Sequence, residues 1–128
     1  MPRSLLTRTY DEALALTVEA RNYMAYREPA ERRHLTANAR LKMNREAFRL
    51  TSRLADIMAW LMSQRAVECG EVEPDRDWLE RFKLDPDGIG AGHDGANLPP
   101  AMQDLLERSE SLFHRVRRLD EQVRRRMH

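Results

Sequence analysis

Cysteine occurs once, at Cys69. An intramolecular disulfide is therefore impossible, and a reducing cytosol is the expected compartment. Long hydrophobic runs are missing as well. No stretch reaches the ~18 apolar residues that a membrane span requires, and Met1-Pro2-Arg3-Ser4-Leu5-Leu6 is too short for a signal-peptide core. A cytoplasmic protein with no membrane partner is expected. An excess of charge of one sign is also missing, since the net charge is +1. A whole-protein field that would gather nucleic acid or acidic lipid is therefore not expected. Lysine is nearly absent: of 22 basic residues, only Lys42 and Lys83 are not arginine. Aromatics make up 6% of the chain, too few for an aromatic-rich core or a base-stacking platform.

Charged residues make up 34% and hydrophobic ones 41%, a balance that suits helices with wide wet faces. The length, 128 residues, is that of one domain, so 1–128 is read as a single helical domain. Four of the five glycines fall between Gly88 and Gly95, with Pro86 before them and Pro99-Pro100 after. Glycine and proline both break helices, so 85–97 is expected to be a flexible glycine-rich loop. Elsewhere the apolar period is helical, and no sustained two-residue alternation signals a strand.

Three main helices are expected. The first runs over about 9–28, capped by Thr9 with Glu12 completing a capping box and ended or interrupted by Pro29. Ala13, Leu16, Ala20 and Tyr23 share one of its faces. The second runs over about 35–69, stopped by Gly70. It carries one stripe at Ala47, Leu50, Leu54, Ile57 and Leu61 and an adjacent one at Phe48, Ala55, Met58 and Met62, which predicts two neighbouring helices. The third runs over about 99–125. Its stripe is Leu98, Met102, Leu105, Ser109, Leu112, Val116, Leu119 and Val123, in which only Ser109 is polar. Trp78, Leu79, Phe82 and Leu84 suggest a short docked segment between the second and third. The expected architecture is all-α: an antiparallel three-helix bundle in up-down-up order. Seams too broad for three helices point to a homodimer.

Catalytic and cofactor chemistry finds little support. The histidines, His34, His93, His114 and His128, form no pair at helical metal-ligand spacing. Gly88-Ile89-Gly90-Ala91-Gly92 superficially resembles a phosphate cradle, but no strand leads in and no Gly-Lys-Ser or Gly-Lys-Thr follows. Cys69 stands between Glu68 and Glu71, whose charge works against a reactive thiolate. The chain is read as a non-enzyme with no metal and no cofactor. The arginines near the C-terminus suit a helix end; Asp120 and Glu121 interrupt them, which makes nucleic acid an unlikely ligand. One stripe has more content. Arg49, Arg53, Asp56 and Trp60 follow 4, 3, 4 spacing on the second helix. Two readings stand side by side: an intrahelical Arg53–Asp56 pair beside a core tryptophan, or an interface built on the residue types enriched in hot spots.

The run Glu46-Ala47-Phe48-Arg49-Leu50-Thr51-Ser52-Arg53-Leu54, continued by Ala59-Trp60-Leu61-Met62-Ser63-Gln64-Arg65-Ala66-Val67, resembles the central helix of the bacterial RcdA family, regulators of CtrA degradation. Leu98-Pro99-Pro100-Ala101, Glu107-Arg108-Ser109 and Arg115-Val116-Arg117-Arg118-Leu119-Asp120 are similar to the family's third helix. The resemblance covers roughly half the chain. It implies a dimeric three-helix bundle and an adaptor that helps the ClpXP protease select cell-cycle regulators. The implied partners are a ClpX-type unfoldase, a receiver-domain adaptor and a transcription-factor substrate. The candidate protein-interaction surface is Arg49, Arg53, Asp56, Trp60, Gln64, Arg65, Arg115 and Arg118, with Arg53→Glu or Arg118→Glu expected to leave folding intact. The competing reading is a regulatory protein that binds nucleic acid or a small ligand.

Overall fold

The computed structural model describes residues 3–86, 88, 90, 92 and 94–126. His93 and His128, considered above as metal ligands, lie outside the described residues. The first helix, α1 (Arg3–Asn22), passes through a π-helical turn (Tyr23–Arg27) into a short α2 (Glu28–Arg32). A long α3 (Ala37–Glu68), a single-turn-scale α4 (Arg76–Arg81) and α5 (Pro100–Arg126) follow.

The first helix begins six residues before the expected Thr9 cap. Leu6 is buried in the core, so the chain gains by starting the helix earlier. Thr9 then lies mid-helix, where its Oγ1 donates to Leu5 O at 2.8 Å. Glu12 reaches across to Arg115 instead of capping. Pro29 marks an interruption of the helical path, not its end. The π-helical turn changes the hydrogen-bond register, and Pro29 falls in the first turn of α2, where a missing N–H costs nothing.

The end of α3 forms as expected at Gly70, while its start lies at Ala37, two residues after the expected one. Thr36 Oγ1 accepts from Ala39 N at 3.1 Å as the N-cap. At the other end Gly70 takes φ +74°, with Gly70 N donating to Val67 O and Glu71 N to Ala66 O, which is a Schellman closure. The main core consists of Leu50, Leu54, Ile57 and Leu61 of α3 with Ala13, Leu16 and Ala20 of α1 and Met102, Leu105, Leu112 and Val116 of α5.

The all-helical bundle is as expected, but the up-down-up order is not. Glu19 pairs with Arg108 and Glu12 with Arg115, so α1 and α5 are antiparallel. Arg53 meets Ser109 and Trp60 meets Asp120, so α3 and α5 run in the same direction. The connection through 69–99 makes this possible by returning along α3. Leu84 is buried in the core. Further on, Gly90 reaches Arg53, and Asp94 reaches Lys42 near the start of α3. The glycine-rich segment is thus lashed to α3 at its described residues. No helix among the described residues is long and apolar enough to cross a membrane.

Candidate protein-interaction surface

The sequence stripe Arg49, Arg53, Asp56 and Trp60 lies across the boundary between core and solvent. Arg53 and Trp60 are buried, Arg49 is half-buried and Asp56 is exposed. Gln64 is buried too, while Arg65, Arg115 and Arg118 are exposed. Two corrections follow. Arg53, Trp60 and Gln64 are no part of an outer face. The second neighbour of α3, helix α5, does not meet the Phe48, Ala55, Met58 and Met62 stripe; it meets the side bearing Glu46, Arg53 and Trp60.

Arg53 is 0% exposed, and its donors are met almost wholly by uncharged groups. Nε donates to Gly90 O at 2.8 Å, and one terminal nitrogen donates to Ser109 Oγ at 2.6 Å and Leu106 O at 3.2 Å. The other terminal nitrogen donates to Gly92 O. Desolvation pulls the guanidinium pKa down, while the carboxylates of Glu110 and Glu46 oppose that shift. Ser109, the one polar residue in the α5 stripe, was the sequence signal for this partner. A Cβ at Gly90 would lie 2.7 Å from Arg53 N and 2.8 Å from its Cα, so only glycine permits the close approach.

Trp60 is anchored by its indole, whose Nε1 donates to the buried Asp120 at 2.9 Å. Asp120 also accepts from Arg124 Nε at 3.0 Å, and Arg124 donates to Leu79 O within α4. Part of the C-terminal arginine run therefore fastens the crossover. Glu46, fully buried, holds Arg49 at 3.0 Å through Oε1, and its Oε2 has no hydrogen-bond partner among the described residues.

Beside Trp60 lies an open cleft of about 470 Å³ floored by Ser52, Ala55 and Ala59 and walled by Arg81, Phe82, Lys83 and Asp85. Asp56 lines it as well. Burial, and then repulsion from Asp85, push the Asp56 carboxyl above its ordinary value. On the other side of α3 an apolar groove of about 550 Å³ is lined by Thr17, Ala20, Met24, Thr51, Leu54 and Ala55. Between the two, α3 stands as a ridge bearing Leu41 (67% exposed), Phe48 (60%) and Met62 (58%). No group of three or more histidine, cysteine or carboxylate side chains among the described residues is arranged to hold a metal.

A family model described as "Protein of unknown function (DUF1465)" matches residues 1–128. The crystal structure of RcdA from Caulobacter crescentus CB15 matches with a TM-score of 0.79 and 33% sequence identity, covering 95% of this chain and 92% of that one. The chain belongs to the RcdA family. Comparison with curated proteins gives no match. The segments in which the sequence resembles RcdA now have places in the fold: one is the ridge helix α3 with its buried Arg53 and Trp60, the other is α5 with Ser109 and Asp120. Much of the family-like pattern is therefore structural. Arg53 with Ser109, and Trp60 with Asp120, are the polar cross-bracing that holds the two helices side by side.

Proposed function

We propose that this RcdA-family chain is a non-enzymatic, cytoplasmic protein-interaction module. It works as a homodimeric adaptor that brings a cell-cycle regulator to a ClpX-type unfoldase, together with a receiver-domain adaptor. The observation that carries this reading is the similarity to RcdA over nearly the full length of both chains. The mechanism is tethering, in which a scaffold raises the effective concentration of cargo at the protease and makes or breaks no bond itself. The exposed face of α5 supplies one contact surface. Arg118 is exposed there, and no ion pair holds it among the described residues. Asp56 and Arg65 offer polar contacts on α3, where Arg65 also rests 4.7 Å over the Tyr10 ring. Reconstituted proteolysis tests the proposal. Adding this chain to the unfoldase, its peptidase, the receiver-domain adaptor and a candidate transcription factor should accelerate loss of the transcription factor. An unchanged rate with folded components would end the adaptor reading.

The cleft beside Trp60 favours one alternative, a regulatory protein that binds a small ligand. It has the volume of a small-molecule site and carries charges of both signs at its rim. A screen for ligand-induced rises in melting temperature, repeated with Asp56→Asn, distinguishes this reading.

A further inference from the structure

The outer side of α5 carries arginines in two pairs. Arg108 and Arg115 stand seven residues apart, and so do Arg118 and Arg125. The first pair is met within the chain. Arg108 donates to both carboxylate oxygens of Glu19 at 2.8 Å. Arg115 donates to one oxygen of Glu12 at 3.0 Å and to the other as well. Glu12 and Glu19 are themselves seven residues apart on α1, which runs antiparallel to α5. The chain thus shows what satisfies two arginines at this spacing: a second helix with carboxylates at the same spacing, each gripping one guanidinium by two bonds.

The second pair lacks such a partner. Arg118 and Arg125 are the first pair moved on by ten residues, which turns them about 80° around the helix at 100° per residue. That turn carries them off α1 and onto the side opposite the buried Ser109 and Val116. Both are exposed, and neither has an ion pair among the described residues. Nor does α1 offer a third carboxylate, since the seven-residue step from Glu19 to Glu12 arrives next at Leu5. The neighbouring carboxylates on α5 are engaged elsewhere. Glu121 pairs with Arg117 at 3.5 Å, and the buried Asp120 holds Trp60 and Arg124.

We propose that Arg118 and Arg125 dock a helical segment of a partner protein that carries carboxylates seven residues apart on one face. This rests on the interaction-module reading above and names the kind of partner that the outer face of α5 takes. The two arginines lie about 10 Å apart along the axis, so two turns of an acidic helix span them. Exposed ion pairs are individually weak, which makes the contact a short-lived one, as a tether that releases its cargo requires. Nucleic acid fits the surface less well. The net charge is +1, and Phe113, the one aromatic residue of α5 apart from histidine, is buried and cannot stack on a base. Because α3 and α5 run in the same direction, Glu71, Glu73, Asp75 and Asp77 follow α3 at the same end of the bundle. They repel a polyanion long enough to wrap that end, but not a short segment confined to the back of α5.

The probe is an alanine-based helical peptide with glutamates at seven-residue steps, titrated into the nitrogen-15-labelled full chain at about 0.1 M ionic strength. Amide and guanidinium resonances of Arg118, Arg125 and their neighbours should shift. The apparent Kd should be about tenfold lower than for a control peptide whose glutamates stand nine residues apart and so alternate between opposite faces. Arg118→Glu with Arg125→Glu should weaken the striped peptide by about tenfold or more without loss of helical circular dichroism, since both side chains are exposed. Lysines in place of the peptide's glutamates should restore binding to that variant. Equal affinity for the two peptides, binding unchanged in the double variant, or no shifts at millimolar peptide would overturn the proposal. A duplex DNA that moves the same resonances at lower concentration than the peptide would also overturn it, in favour of a nucleic-acid surface. The adaptor reading keeps its own test in the proteolysis assay, so accelerated proteolysis without peptide binding would end this proposal alone.

Discussion

A guanidinium taken out of water costs several kcal/mol unless every donor is met. Arg53 meets that demand with backbone carbonyls of Gly90, Gly92 and Leu106 and the hydroxyl of Ser109. Removing the side chain orphans those acceptors, and Arg53→Ala is expected to lose about 3 kcal/mol of stability in urea denaturation. Arg53→Glu should fail to fold, because it sets a buried carboxylate against the same carbonyls and near Glu46. Gly90→Ala presses a methyl group into the α3 backbone and should cost about 2 kcal/mol. Asp56 behaves in the opposite sense. Its folded pKa is raised, by burial first and then by Asp85. Its contribution to stability is therefore fully present below its unfolded value near 4 and is lost as pH rises through the raised folded value. Asp56→Asn should melt higher than the parent at pH 7, and the gap should close at or below about pH 4; thermal denaturation at the two pH values checks this.

At the scale of the helices, two kinds of contact hold the bundle, and they differ in worth. Between α1 and α5, Glu19–Arg108 and Glu12–Arg115 are exposed pairs. Hydrogen bonds from the arginines lower both carboxyl pKa values. Their contribution is present above the unfolded pKa and is lost as pH falls through the lowered folded values. Solvent screening keeps each below about 1 kcal/mol, so Glu12→Gln with Glu19→Gln should shift the urea midpoint only slightly at pH 7. Between α3 and α5 the bracing is buried. Trp60→Phe keeps the ring packing, takes the donor from Asp120, and should cost about 1–2 kcal/mol. The end of α3 was legible because capping is local: Gly70 announces it from the residue after the helix, while the Thr36 cap sets the start two residues later than expected. The start of α1 lies six residues ahead of the expected cap because burial of Leu6, a tertiary effect, outweighs the local capping preference of Thr9.

At the scale of the whole molecule, Arg118→Glu is expected to leave the unfolding curve unchanged and to weaken capture of a partner in the reconstituted proteolysis assay, because Arg118 is exposed and no ion pair ties it to another described residue. Arg53 and Trp60 cannot serve that test, since they are buried bracing. Spacing placed them on the right side of α3, but a helical period gives only a direction around the axis and not which side a neighbour will cover. The sequence alone determined that the chain is helical, where α3 stops, and where the glycine-rich connection falls, because propensity, capping and apolar period all act over a few residues. Family membership could also be read from it, in the segments around Arg53 and Ser109. Only the tertiary structure decided that α5 runs parallel to α3, that an arginine rather than the Phe48–Met62 stripe faces α5, and that the apolar stripe is left as a ridge. Those outcomes depend on how the crossover returns along α3, through contacts such as Arg53–Gly90 that span 37 residues, which no local rule encodes.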